Sequence, residues 1–276
     1  MIRIKEIPDK VFSSKEEMFK ALSENEALII DAKKSEIYKS IEKGNVSVFN
    51  LDSVKKAFET SKSINFDDDY YYIVVNSANV LDSHLDLHVD GNWNKSVKDQ
   101  QGKCFFVFDH TLKRSEIIAM KKDIEMFTEN IPWSFLGKSY DGETYCLIYK
   151  FKKSKVLSEE AKNFLDEGHE MEASVRMQYI KIEAAYNSDN PDYSKQKSVF
   201  DNYYPLIVNK DDFEEIDYFW VVKEAKNVME SSLVMFGSNP ATGLIENKEQ
   251  PVGTQTNEPS NDTQAIEMLK ELLSKI

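Results

Sequence analysis

Four histidines, His84, His88, His110 and His169, are the imidazoles available to this chain, so a serine nucleophile would have to draw its general base from among them. A serine hydroxyl attacks a carbonyl only when a base within hydrogen-bond reach takes its proton and a third group orients that base. Ser174 lies in HEMEASVRMQY, where Met171, Ala173, Val175, Met177 and Tyr179 alternate with Glu170, Glu172, Ser174, Arg176 and Gln178. Period-two alternation predicts a strand with one face on the core and Ser174 on the polar face. His110 ends the apolar run CFFVFD, where a strand end can present an imidazole to a cleft. Glu230 opens the apolar run that closes at GSNPATG, and a glutamate there either faces solvent or needs a cationic or imidazole partner. Taken singly, each of the three also has an ordinary structural reading: a packed histidine, a solvated strand serine and a surface glutamate.

A different chemistry is conceivable in SHLDLHVDG. If this stretch is a strand, His84, Asp86, His88 and Asp90 share one face and Leu85, Leu87 and Val89 the other. Imidazoles and carboxylates are the ligand types of hydrolytic Zn²⁺ or Mn²⁺ sites. Ligands at i, i+2 and i+4 of one strand span about 13 Å, however, too far for all to reach a single ion, and the alternative is a solvated strand face.

The elements that would position these residues follow from composition and pattern. The chain has 276 residues, 41% of them hydrophobic, which is enough for a large core without metal or disulfide staples. With 35 basic against 48 acidic residues the net charge is −13, which argues against a nucleic-acid-coating role, because phosphate binding needs clustered Lys and Arg. Cys104 and Cys146 sit in apolar runs and read as buried free thiols of a reducing compartment. MIRIKEIPDK lacks a signal-like apolar stretch, and no run approaches the roughly 18 apolar residues of a spanning helix, so a soluble, non-secreted protein without membrane partners is expected.

Residues 1–69 read as a helical N-terminal segment: SSKEEMFKALSEN opens on a capping box, Ser14 with Glu17, and further helices are expected over Ala32–Lys43 and Ser53–Thr60. From residue 70 to 245 the pattern is of short β-rich runs: YYYIVV, CFFVF, YCLIYKF, Met171–Ile182, FWVV and SLVMF. One clear helix, SEEAKNFLDEG, lies between them, capped by Ser158 and closed by Gly168. An α+β, mainly antiparallel arrangement follows, not a parallel βαβ series. Residues 187–215 read as a long polar insertion with its own aromatic patch, residues 246–262 as a flexible linker, and 263–276 as an amphipathic helix with the stripe Ile266, Leu269, Leu272, Leu273 and Ile276.

In combination, VFDHTLK, the helix-to-strand passage SEEAKNFLDEGHEMEASVRM and the closing ESSLVMFGSNPA resemble the prohead maturation proteases of tailed bacteriophages, which look related to herpesvirus assemblin. The resemblance covers roughly residues 70–244 and rests on the three segments jointly. It implies a β-barrel-like core with flanking helices, no cofactor or metal, and a catalytic order His, Ser, third member. Here that order makes His110 the general base, Ser174 the nucleophile and Glu230 the acidic third residue. Assemblin-like enzymes place a second histidine at the third position, but His169 precedes the serine and does not fit the order. Arg176, after the SV pair, and the 187–215 insertion depart from the family pattern. Arg176 shares the face of Ser174 and could bind substrate or support the oxyanion, or be a surface-strand arginine. The implied substrates are the scaffold, the major capsid protein and the enzyme itself, the implied state a dimer, and the implied location the procapsid in the host cytoplasm. The terminal helix would bind scaffold or shell until cleavage in the linker releases the enzyme. A capsid or scaffold-interaction protein with the same fold and no turnover is the alternative from another class.

Overall fold

A computed structural model describes residues 1–35, 66–167 and 171–245. His169, Gly168, the helix expected over Ser53–Thr60, most of that over Ala32–Lys43, the linker and the C-terminal helix lie outside those residues.

The capping signal at Ser14 starts helix α1, Lys15–Ser35. The Glu17 backbone N–H donates to Ser14 Oγ at 3.2 Å, while the Glu17 carboxylate reaches back past Ser14 to the backbone and hydroxyl of Ser13. α1 runs unbroken through Ala32, so the expected start of a second helix there is corrected. Leu22 and Ile29, on one stripe of α1, are both buried in the core.

Among the described residues nine strands follow: β1 Tyr70–Ser77, β2 Asp86–His88, β3 Phe105–Phe108, β4 Ile117–Ala119, β5 Ile124–Pro132, β6 Glu143–Lys152, β7 Glu172–Tyr186, β8 Tyr218–Val234 and β9 Gly243–Leu244. The further α-helices among the described residues are α2 Asn94–Gln100, α3 Glu159–Asp166 and α4 Ser194–Tyr203. The fold is therefore mixed helix and sheet, of α+β type. One sheet, in the order β5-β6-β1-β9, is antiparallel throughout. In the other, β8 pairs on one side with β7, antiparallel, and on the other with β2 and β3, both parallel to it, with β4 beyond β3. Ser158 caps α3 as expected, its hydroxyl accepting from the Ala161 N–H.

Two expectations change here. FWVV and SLVMF are the ends of one 17-residue strand, β8, because the charged stretch between them exposes only Lys223, Lys226 and Met229 while pairing with β7 continues past it. The 187–215 segment is not a plain polar loop: it carries α4, whose Phe200 is buried against Phe219 at 5.3 Å between ring centroids. The buried Asn209 ties the same segment back by bonding both the N–H and the carbonyl of Leu81, at 2.9 and 3.0 Å. On the neighbouring surface α1 packs Phe19 on Tyr186, with ring centroids 5.7 Å apart. Trp220, Tyr179, Tyr149 and Phe106 fill the core behind β7 and β8. Burial of aromatic side chains on this scale dominates the stability of such a sheet. Among the described residues no helix is long and apolar enough to cross a membrane.

Candidate active site

β7 keeps the alternation its sequence announces, with Ala173, Val175, Met177 and Tyr179 in the core. Ser174 therefore faces the other way, directly across from Ser232 of β8. That face is not solvated at Ser174, whose exposure is only 6%, because His110 covers it.

His110 stands in the turn that leaves β3. The Thr111 N–H donates to the Phe108 carbonyl at 2.9 Å, and both central residues take left-handed backbone, Asp109 at φ 45° and His110 at φ 54°. Such conformations are uncommon for non-glycine residues, although Asp and His tolerate them better than most. Two bonds to β8 hold the turn: Asp109 N–H to the Leu233 carbonyl at 3.1 Å and His110 N–H to Ser232 Oγ at 3.0 Å. The imidazole then lies between the strands, with Nε2 2.9 Å from Ser174 Oγ and Nδ1 3.0 Å from Glu230 Oε1. A carboxylate can only accept, so Nδ1 carries the proton and Nε2 is left to accept from the serine hydroxyl. Glu230 is fully buried, which is sustainable because both of its oxygens are bonded.

The second of those bonds comes from a residue that sequence reasoning missed. Ser232 donates to Glu230 Oε2 at 2.7 Å while accepting the His110 backbone N–H, and its oxygen lies 3.2 Å from His110 Nδ1. The signal was present in ESS: residues 230 and 232, two apart on one strand, share a face. Arg176 is half-buried on the Ser174 side of β7, and its Nε is buried without a hydrogen-bond partner.

The GSNPATG segment seals the neighbouring edge of β7. Thr242 Oγ1 donates to the Ala173 carbonyl and accepts its N–H, Asn239 bonds both the hydroxyl and the carbonyl of Ser77, and Glu172 accepts the Gly237 N–H. Burial raises the Glu172 carboxyl above its ordinary range. Gly243, at φ 125°, passes so close that an added Cβ would sit 2.9 Å from the Met171 carbonyl oxygen. A pocket beside Ser174 is lined by Val75, Asn76, His84, Met177, Ser238 and Asn239, among others.

The second constellation does not assemble. β2 spans only Asp86–His88, because Leu85 takes φ 55° and Asp82 Oδ1 accepts the N–H groups of His84 and Asp86 in a local turn. The expected single face of His84, Asp86, His88 and Asp90 is thus corrected. Asp86 is spent on Lys33, at 2.6 Å, and on the Tyr179 hydroxyl, at 2.9 Å. His88 stacks on Trp93 and takes Asn92 Nδ2 at Nδ1. Among the described residues no three His, Cys, Asp or Glu side chains are grouped to hold a metal ion. Burial pushes Asp82 up to about 7, helped by the adjoining Asp86 charge. Cys104 and Cys146 are free and buried, and burial lifts the Cys104 thiol to about 11.

His88 yields a stability prediction. Burial depresses it to about 4 from 6.5, so between those pH values the unfolded chain holds a proton that the folded chain refuses, and stability falls as pH drops through that window. At about 1.4 kcal/mol per unit, wild type should lose roughly 2 to 3 kcal/mol relative to His88→Gln between pH 7 and pH 4. Urea unfolding of both proteins at the two pH values measures it. A gap between them that does not change with pH would mean His88 is protonated in the folded state.

Comparison with protein-family models, with curated proteins and with solved structures returns no match for this chain. The functional reading rests on the site itself.

Proposed function

We propose that this chain is a serine endopeptidase of the prohead-maturation type, cleaving scaffold, major capsid protein and itself during capsid assembly. The observation that carries the reading is the continuous hydroxyl–imidazole–carboxylate relay of Ser174, His110 and Glu230, made by three distant segments in the order His, Ser, acid. A buried relay of this connectivity has a defined chemical use. His110 Nε2 accepts the Ser174 proton as Oγ attacks the scissile carbonyl. The imidazolium that results is held by the Glu230 carboxylate at Nδ1, with Ser232 fixing the second carboxylate oxygen. His110 then delivers the proton to the leaving amine, and water, activated by the same imidazole, resolves the acyl-enzyme. Backbone N–H groups must hold the oxyanion, and we take them from the loop bearing Ser238 and Asn239, which lines a pocket together with Ser174. The Gly237 N–H is already committed to Glu172.

The coarser architecture agrees with this reading, and we take the two sheets as the walls of a barrel-like core. The enzyme would work as a dimer inside the procapsid, in the host cytoplasm.

A fluorophosphonate probe tests the assignment. It should form an adduct on Ser174, found by peptide mass mapping, and the reaction should be lost in His110→Ala. The same preparation should shorten the scaffold and capsid chains of its own procapsid. An adduct on another residue, or none at all, would overturn the proposal.

A further inference from the structure

The pairing of β7 with β8 shifts register three times, and the largest of these shifts lies behind the relay, between Val175 and Met177. Val175 faces Ser231 and Met177 faces Asn227, so Val228, Met229 and Glu230 stand opposite Arg176 alone. β8 therefore carries two extra residues in a bulge, and Met229 within it takes φ 72° and turns its side chain to solvent. Glu230 is the last residue of this bulge. On its other side Glu230 pairs with Phe105 of β3, so where its carboxylate lies depends on how the bulge is held against that pairing.

The bulge is held from the core side. Asn227 is fully buried, and its Nδ2 spends both protons, one on Ser231 Oγ at 3.0 Å and one on the Tyr149 hydroxyl at 2.7 Å. Four residues of regular strand would separate Asn227 from Ser231 by about 13 Å, beyond the joint reach of the two side chains, so their bond exists only while the strand is contracted. The Asn227 backbone N–H is taken by Ser96 Oγ at 2.8 Å. Left-handed backbone at methionine persists only where its surroundings enforce it. None of these hydrogen bonds is made to His110 or Ser174.

We propose that Asn227 is a positioning residue for the relay, its carboxamide closing the β8 bulge onto Ser231 and Tyr149 so that the Glu230 carboxylate meets His110 Nδ1. The kinetic consequence rests on the peptidase reading above, whereas the geometric consequence does not.

The test compares Ser231→Ala and Asn227→Ala with Thr144→Val. The last removes a buried hydroxyl that donates to the Ala78 carbonyl at 2.8 Å and belongs to neither relay nor bulge. Proton NMR reads the hydrogen-bonded Nδ1 proton of His110 as a far-downfield resonance, assigned by its loss in His110→Gln. The two bulge variants should shift or broaden that resonance and lower kcat on a peptide substrate roughly ten- to a hundredfold with KM unchanged. Thr144→Val should lower only the melting temperature. Ser231→Ala deletes a single oxygen and keeps the test open if Asn227→Ala does not fold. An Nδ1 resonance in Ser231→Ala identical to that of wild type would overturn the inference whatever the activity. A shifted resonance in a protein that hydrolyses no peptide would uphold the bulge closure and remove the peptidase reading instead.

Discussion

Ser174→Ala should lower peptide hydrolysis by roughly 10⁴-fold or more while leaving the fold intact, because loss of the nucleophile leaves only binding and oxyanion stabilisation to accelerate attack by water. The hydrogen bond of Ser174 Oγ within the described structure is to His110 Nε2, and the site is flanked by β8 pairing that the substitution does not touch. The stability cost should therefore be about 1 kcal/mol, that of one lost hydrogen bond. The variant also separates two classes of protein. A capsid-interaction protein that merely keeps this fold would bind its partners and permit maturation without the hydroxyl, whereas a protease would accumulate uncleaved scaffold and capsid precursors. Normal processing in procapsids carrying only Ser174→Ala, followed by gel mobility of the capsid chain, would end the assignment of Ser174 as nucleophile.

How much of this site was legible beforehand depends on the range of the forces that build each part. Alternation in HEMEASVRMQY is local, and it identified both β7 and the face on which Ser174 stands. It could not tell that the face is covered, since the covering group, His110, arrives from a distant position with no local trace. The turn that delivers His110 carries no glycine, and its left-handed Asp109 and His110 are enforced by β8 rather than by turn chemistry. β8 was read as two strands because charges in KEAKNVMESS look like a break. They are accommodated because Lys223 and Lys226 stay exposed and because 13 pairings with β7 outweigh local preference. The reverse error occurred at SHLDLHVDG. There a period-two pattern of polar residues looked like a strand face, but the Asp82 side chain captured two backbone N–H groups and bent the chain at Leu85. Within 187–215, polar composition concealed a helix whose docking depends largely on Phe200.

Glu230→Gln probes the carboxylate while keeping its size, and should reduce kcat by about 10⁴-fold at neutral pH with little change in KM, the effect expected when the residue orienting the imidazole loses its charge. The carboxylate receives two protons, one from His110 Nδ1 and one from Ser232. A carboxamide can receive at only one of these positions and must donate at the other. If its oxygen faces Nδ1, its NH₂ meets Ser232, whose own proton then needs a new acceptor, and the imidazolium formed during attack has no counter-charge. If its NH₂ faces Nδ1, the imidazole must move its proton to Nε2, which then points a donor at Ser174 and cannot act as base. Both arrangements defeat the same step, so fluorophosphonate labelling of Ser174 should slow in parallel with peptide cleavage. Removing a buried charge without leaving a cavity costs little stability, and Glu230→Gln should stay folded where Glu230→Ala, which strands Ser232 and opens a void, loses several kcal/mol. Activity within tenfold of wild type would mean that Glu230 is structural. In that event Ser232, already 3.2 Å from Nδ1, would be the group orienting the imidazole, and Ser232→Ala in the Glu230→Gln background would remove what activity remained.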